Sequence, residues 1–116
     1  MALSPTGWPR DLPPATTAEF GERVVSWLLD RGPGELRTSR LRAYPRALAA
    51  YLEHYVQGCL LATREAYSRA RVELAGHLDP RELTEVQQAL EAEGARLLHL
   101  QRELRLVAQA LYADGA

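Results

Sequence analysis

Apolar residues recur every seven positions along the last third of the chain. Five leucines and three further apolar residues occupy the two alternating positions of this repeat. They are Leu83, Leu90, Leu97, Leu104 and Leu111, with Val86, Leu100 and Val107 between them. A repeat of this kind is typical of a helix that buries one stripe against another helix. The pattern therefore predicts a helix over 80–113, and its single charged interruption is Glu93.

A second proline-free segment precedes this helix and predicts another over 46–75. Gly76 is placed to end it, and Asp79 with Glu82 forms a capping box that starts the next helix at Pro80. So short a turn forces the two helices into an antiparallel hairpin. Residues whose numbers sum to about 156 should then lie level with each other.

The N-terminal part predicts one short helix, over 17–30. Thr16 and Glu19 fit a capping box, and the Gly-Pro-Gly sequence at 32–34 ends the apolar spacing. Prolines punctuate residues 1–15, which predict an extended arm. Two states are open for this arm: docking through Trp8 and Leu12, or a partly disordered tail. The connector 31–44 has room for one further helical turn near Ser39, whose bounds cannot be read from the sequence.

The predicted fold is all-α, with the short helix and the long hairpin forming one three-helix, coiled-coil-like domain over 16–116. At about 1.5 Å per residue the short helix covers less than half of the hairpin. Several apolar residues lie away from the main stripes and predict an interface with a second copy or with another helical protein. They are Leu61, Val72, Leu98, Leu106 and Tyr112.

Two features predict how the hairpin packs. Small residues recur every four positions at Gly58, Ala62, Ala66 and Ala70, which favours a close crossing with the last helix. The antiparallel register also places Arg64 near Glu93. An ion pair between them is the inexpensive way to keep an inward-facing carboxylate charged, and we expect it to fix the register.

The connector carries the one concentrated cluster of charge, at Arg37, Arg40, Arg42 and Arg46. Arginine side chains bind phosphate in a bidentate fashion, so this cluster could contact nucleic acid or a phosphate ligand. The favoured interpretation is structural: the arginines cover helix ends and pair with acids such as Glu19, Glu22 and Asp114.

Composition removes several classes of chemistry. The chain has no lysine, which excludes a Schiff base, a lysine nucleophile and a phosphate-loop lysine. The absence of lysine, isoleucine and asparagine is consistent with a GC-rich bacterial genome. The net charge of -1 gives no general attraction to polyanions. We find no catalytic motif, and we predict no catalytic residue, cofactor or enzymatic activity.

Metal and thiol chemistry are also disfavoured. His54 and His99 lie roughly level in the predicted hairpin, but the Glu-x-x-His spacing of bundle metal sites is absent, so we predict no metal site. Cys59 is the only cysteine, at a core-like position, and is expected to pack as an inert apolar residue. The lone cysteine and an N-terminus without signal-peptide character favour the cytoplasm, and no segment predicts a membrane span. The expected function is that of a non-enzymatic interaction or adaptor protein; the alternative is a nucleic-acid-binding or regulatory protein that uses 37–46.

Overall fold

The computed structural model describes residues 4–113, and in this range the fold is all-α. Three α-helices are present: α1 spans Ala18–Leu29, α2 spans Pro45–Glu73 and α3 spans Pro80–Ala113. Two short 3₁₀ helices, Gly34–Thr38 and Arg40–Ala43, fill the connector between α1 and α2. The predicted all-α class is therefore confirmed, and the helix bounds agree with the predicted ones to within two residues.

The start of α1 and the connector differ in detail from the prediction. Thr17, not Thr16, is the N-cap of α1, and its hydroxyl donates to the carbonyl of Pro14 instead of capping the helix. The predicted capping box of Thr16 and Glu19 is therefore wrong. Ser39 separates the two 3₁₀ helices, and its hydroxyl accepts a hydrogen bond from the backbone of Leu41. The connector thus contains two short helices where one turn was expected.

The chain divides into two compact units, and the boundary falls within α2 and α3. The first unit comprises the residues up to Tyr55 and those from Gln101 onward, and the second comprises Val56–Leu100. Each is described by itself below. The prediction of one domain over 16–116 stays a prediction.

The first unit contains most of the apolar core. Phe20, Val24 and Leu28 of α1 are buried together with residues of α2 and α3 such as Leu48 and Leu104. Fourteen of the nineteen buried apolar residues of the described chain belong to this unit. The short helix thus has enough apolar partners within its own unit to bury its inward face.

The N-terminal arm is docked on α1. It folds into consecutive turns, with backbone hydrogen bonds from Trp8 to Pro5 and from Leu12 to Pro9, so the predicted extended conformation is wrong. Leu12 is buried, and the ring of Trp8 lies 5.8 Å from that of Phe20. Of the two states left open by the sequence, the structure has the docked one. Residues 1–3 lie outside the described range.

Asp11 fastens this arm to α1. Its Oδ1 accepts a 2.8 Å hydrogen bond from the indole nitrogen of Trp27, and its Oδ2 pairs with Arg31. The guanidinium of Arg31 also lies 4.2 Å from the centroid of the Trp27 ring, as in a cation–π contact. Burial raises the pKa of Asp11, but the hydrogen bonds from Trp27 and Arg31 and the Arg31 charge outweigh it, so the pKa lies below 3.8.

Replacing Asp11 with alanine should lower the free energy of unfolding by about 1 kcal/mol, mostly through the lost bond to Trp27. Because the folded-state pKa is lowered, the carboxylate stabilises the fold above pH 3.8, and this contribution disappears as the pH falls through the lowered pKa. Urea unfolding followed by tryptophan fluorescence measures both effects, since the chain's two tryptophans, Trp8 and Trp27, lie at this contact.

Asp11→Asn is the matched control for that measurement. It keeps an oxygen that can accept from Trp27 but loses the charge, so it should recover part of the stability and lose the acid dependence. An unfolding curve for Asp11→Ala that matches the unmodified protein at neutral pH would contradict the assigned role.

A capped turn joins the two helices of the second unit. The backbone N–H of Asp79 donates to the Glu82 carboxylate at 3.0 Å, and that of Glu82 donates to the Asp79 carboxylate at 2.8 Å. Gly76 adopts a φ of 82°, the left-handed conformation that favours glycine. The predicted capping box and turn glycine are confirmed.

Side-by-side packing in the second unit follows the predicted register. The hydroxyl of Tyr67 in α2 donates to Glu91 in α3 at 3.0 Å, and these two numbers sum to 158, close to the predicted sum of about 156. The buried apolar residues of this unit are Val56, Leu60, Ala70, Leu97 and Leu100. Leu83, Val86 and Leu90 of the heptad repeat are only half-buried. The apolar seam of the second unit is therefore incompletely covered.

The predicted close crossing through small residues is wrong. Gly58, Ala62 and Ala66 are exposed, and only Ala70 of that stripe is buried. A Cβ atom added at Gly58 or Gly94 would meet nothing within 4 Å. The packed stripe of α2 is instead formed by residues such as Val56 and Leu60, and the small residues lie to one side of it.

Candidate interaction surface

An open groove lies between α2 and α3 within the second unit. Its volume is about 460 Å³. Three residues from each helix line it: Thr63, Arg64 and Tyr67 from α2, and Leu90, Glu91 and Gly94 from α3. Two helices meet along one stripe only, and this groove is the part of the seam that the side chains of α2 and α3 leave open to solvent.

A hydrogen bond from Tyr67 of α2 to Glu91 of α3 links the two helices at the groove. The hydrogen bond to Glu91 and the negative charge of that carboxylate raise the pKa of Tyr67 above its usual value of 10.0. The phenol therefore remains protonated and donating through the neutral range. The aromatic ring of Tyr67 and the side chain of Leu90 supply apolar area between the charged residues at the rims.

Arg64 lies at the rim and does not pair with Glu93 as predicted. Both carboxylate oxygens of Glu93 accept from Arg96 of the same helix, at 2.7 and 2.8 Å, and these hydrogen bonds lower the pKa of Glu93. Glu93 is half-exposed, so it needs no partner from α2 to remain charged. The predicted ion pair is wrong, and Arg64 forms no ion pair with another residue of 4–113.

The residues predicted as an interface are mostly exposed. Leu61 is 59% exposed, Val72 75% and Leu98 36%, all in the second unit. Tyr112, in the first unit, is 48% exposed. Leu106 differs from the others, because it is half-buried and a Cβ atom at Gly7 of the arm would lie 3.6 Å from it.

Leu61 and Leu98 lie on the sides of α2 and α3 that also carry groove residues. Leu98 follows Glu91 by one heptad, which places it about 20° from Glu91 around α3. Leu61 precedes Arg64 by three residues, about 60° around α2. By the register of Tyr67 and Glu91 these two leucines are also level with each other. Exposed apolar area thus continues from the groove towards the end of the hairpin distant from the turn.

The arginines of the connector are largely used within the first unit. Arg37 pairs with Asp30 at 2.6 Å, and Arg42 donates to the carbonyl of Arg37 at 2.7 Å. Arg46 donates at 2.9 Å to the carbonyl of Leu111, in the last turn of α3, where a cation also complements the helix dipole. Arg40 is exposed. The expected covering of a helix end is therefore found, although the acidic partner is Asp30; Asp114 lies outside the described residues.

Sequence reasoning missed Tyr67 as a member of the site. It also placed Leu90 in the apolar seam of the repeat, whereas Leu90 and Gly94 line an open groove. The available signal was the register itself, because a sum of about 156 already places Tyr67 level with Leu90. The register does not predict how far each side chain is buried.

Residues 4–113 contain no cluster of three or more His, Cys, Asp or Glu side chains that could hold a metal ion. Cys59 is half-buried, not fully packed as expected. None of the helices in the described range is both long and apolar enough to cross a membrane. Comparisons of this chain with protein-family models, with curated proteins and with solved structures find no match.

Proposed function

We propose that this chain is a non-enzymatic interaction protein that forms a homodimer through the apolar surface of its helical hairpin. The observation that carries the proposal is the uneven covering of the heptad repeat. Leu97, Leu104 and Leu111 are buried, whereas Leu83 and Leu90 of the same repeat are half-exposed. Apolar residues of the repeat that stay partly exposed within one chain are better buried when another helical surface packs on them.

Exposed side chains next to the seam support the same proposal. Leu61, Val72 and Leu98 add apolar area at the edges of the second unit. Leu106 and Tyr112 were predicted to belong to the interface as well, and Tyr112 is exposed in the first unit. Association of two hairpins into four helices is a common way to bury such a surface, since closed two-fold dimers are the most frequent oligomers.

The non-enzymatic part of the proposal rests on the residues available. The chain has no lysine, and the histidines and the cysteine occur in no catalytic motif. A reducing compartment such as the cytoplasm suits a protein with one thiol. A different helical protein is the alternative occupant of the surface. Nucleic acid has less support, because Arg37, Arg42 and Arg46 bond within the chain.

Light scattering coupled to size exclusion tests the proposal on the unmodified chain. We expect the mass of two chains at the highest micromolar loading and a shift towards one chain on dilution. A mass of one chain at every loading would contradict the homodimer.

A further inference from the structure

We propose that the second copy binds on the groove with its α3 lying over α2 of the first, so that Arg64 of each copy pairs with Glu91 of the other. This inference rests on the proposed homodimer and adds which face is buried and in what orientation.

The charges at the rims of the groove are the first argument. On α2, Arg64 and Arg71 lie one heptad apart, so they occupy the same side of the helix. On α3 the charged residue that lines the groove is Glu91. Neither arginine forms an ion pair within the described residues, and the same is true of Glu91, which accepts only the neutral hydroxyl of Tyr67. The α2 side of the groove is therefore basic and the α3 side acidic, and neither side has an ion-pair partner within the described residues.

Symmetry then selects the orientation. A two-fold axis parallel to the helices places α2 of each copy over α3 of the other at an unchanged level, because rotation about that axis preserves height. Arg64 of each copy then lies next to Glu91 of the other, so the dimer contains this ion pair twice. A two-fold axis perpendicular to the helices would place α2 on α2, and the two basic rims would repel each other.

The exposed apolar residues of the second unit also fit this arrangement. Leu61 and Leu98 are level by the register of Tyr67 and Glu91, so the parallel axis places Leu61 of one copy over Leu98 of the other. Tyr67 lies in the same way over Leu90 of the second copy. Every neighbouring helix pair in the resulting four-helix arrangement is antiparallel, as in common up-down bundles.

Mixing two charge-reversal variants tests this pairing. Arg64→Glu and Glu91→Arg should each raise the dimer dissociation constant about tenfold or more, because each places like charges together twice per dimer. Mixed in equal amounts, the two variants should form a heterodimer about as tight as the unmodified homodimer, since both cross-pairs are then opposite in charge. Sedimentation velocity with a fluorophore on one variant measures the heterodimer.

A control on the same hairpin tests whether any charge reversal weakens the dimer. Arg81→Glu reverses a charge whose side chain is 90% exposed in the first turn of α3. This variant should dimerise as the unmodified chain does. Circular dichroism of each variant should retain the helical signal.

The outcomes separate this inference from the proposed function. An unmodified chain that stays monomeric overturns both. If the unmodified chain dimerises but neither charge reversal changes the dissociation constant, this arrangement is overturned. It is also overturned if the two reversed variants fail to form a heterodimer on mixing. Both results leave a homodimer through another face. The arrangement is supported if each variant alone dimerises weakly and the mixture of the two forms a tight heterodimer.

Discussion

Replacing Leu104 with alanine should lower the free energy of unfolding by about 3 kcal/mol, whereas the same replacement at Leu90 should lower it by about 1 kcal/mol. The two leucines occupy the same position of the heptad repeat on α3, but Leu104 is 0% exposed and Leu90 is half-buried. Truncation of a fully buried leucine removes its transfer free energy and leaves a cavity, whereas a partly solvated leucine loses only part of the first term.

Urea denaturation at low protein concentration measures this difference, because dilution removes the contribution of a dimer. Repeating it at high concentration should increase the loss for Leu90→Ala, since that side chain then becomes part of the interface. Equal losses for the two variants under dilute conditions would contradict the finding that the seam is covered at one end and open at the other.

Replacing Leu98 with glutamate should raise the dimer dissociation constant about a hundredfold or more. The substitution places a carboxylate in an apolar contact of the proposed interface, and the two-fold symmetry places it there twice. The side chain is 36% exposed in one chain, so the fold itself can accommodate the charge at the solvent-facing edge. Sedimentation equilibrium of the variant measures the change in affinity.

Ala92→Glu is the matched control on the same helix. Ala92 is exposed and directly follows Glu91, so it points about 100° away from Glu91 and the groove around α3. This variant should dimerise normally. If Ala92→Glu dissociates the dimer and Leu98→Glu does not, the interface lies on the opposite face of the hairpin.

Local signals made the helices and their turn predictable. Asp79 and Glu82 each accept a hydrogen bond from the backbone N–H of the other, and Pro80 has no N–H to satisfy, so the start of the helix depends on residues three positions apart. A turn this short leaves the chain little freedom, and it therefore determined the register that Tyr67 and Glu91 confirm. The burial of each side chain could not be predicted in this way, because it depends on what else packs against the hairpin.

Contacts between distant segments were not predictable from the sequence. Arg46 reaches the carbonyl of Leu111, 65 positions away, and Asp11 bonds to Trp27 through an arm whose prolines suggested an extended chain. Glu93 shows a different limit. The predicted pair with Arg64 assumed that the carboxylate of Glu93 faces inwards. Because Glu93 is half-exposed, it pairs instead with Arg96, three residues away on the same helix.

The most direct test of the central claim, that a second copy covers the open seam of the hairpin, is an isotope-filtered NOE measurement on a mixture of labelled and unlabelled unmodified chains. We expect contacts between copies from the methyl groups of Leu61, Leu90 and Leu98. Contacts between copies that are restricted to residues outside Val56–Leu100, or no such contacts at concentrations where the chain is fully helical, would contradict it.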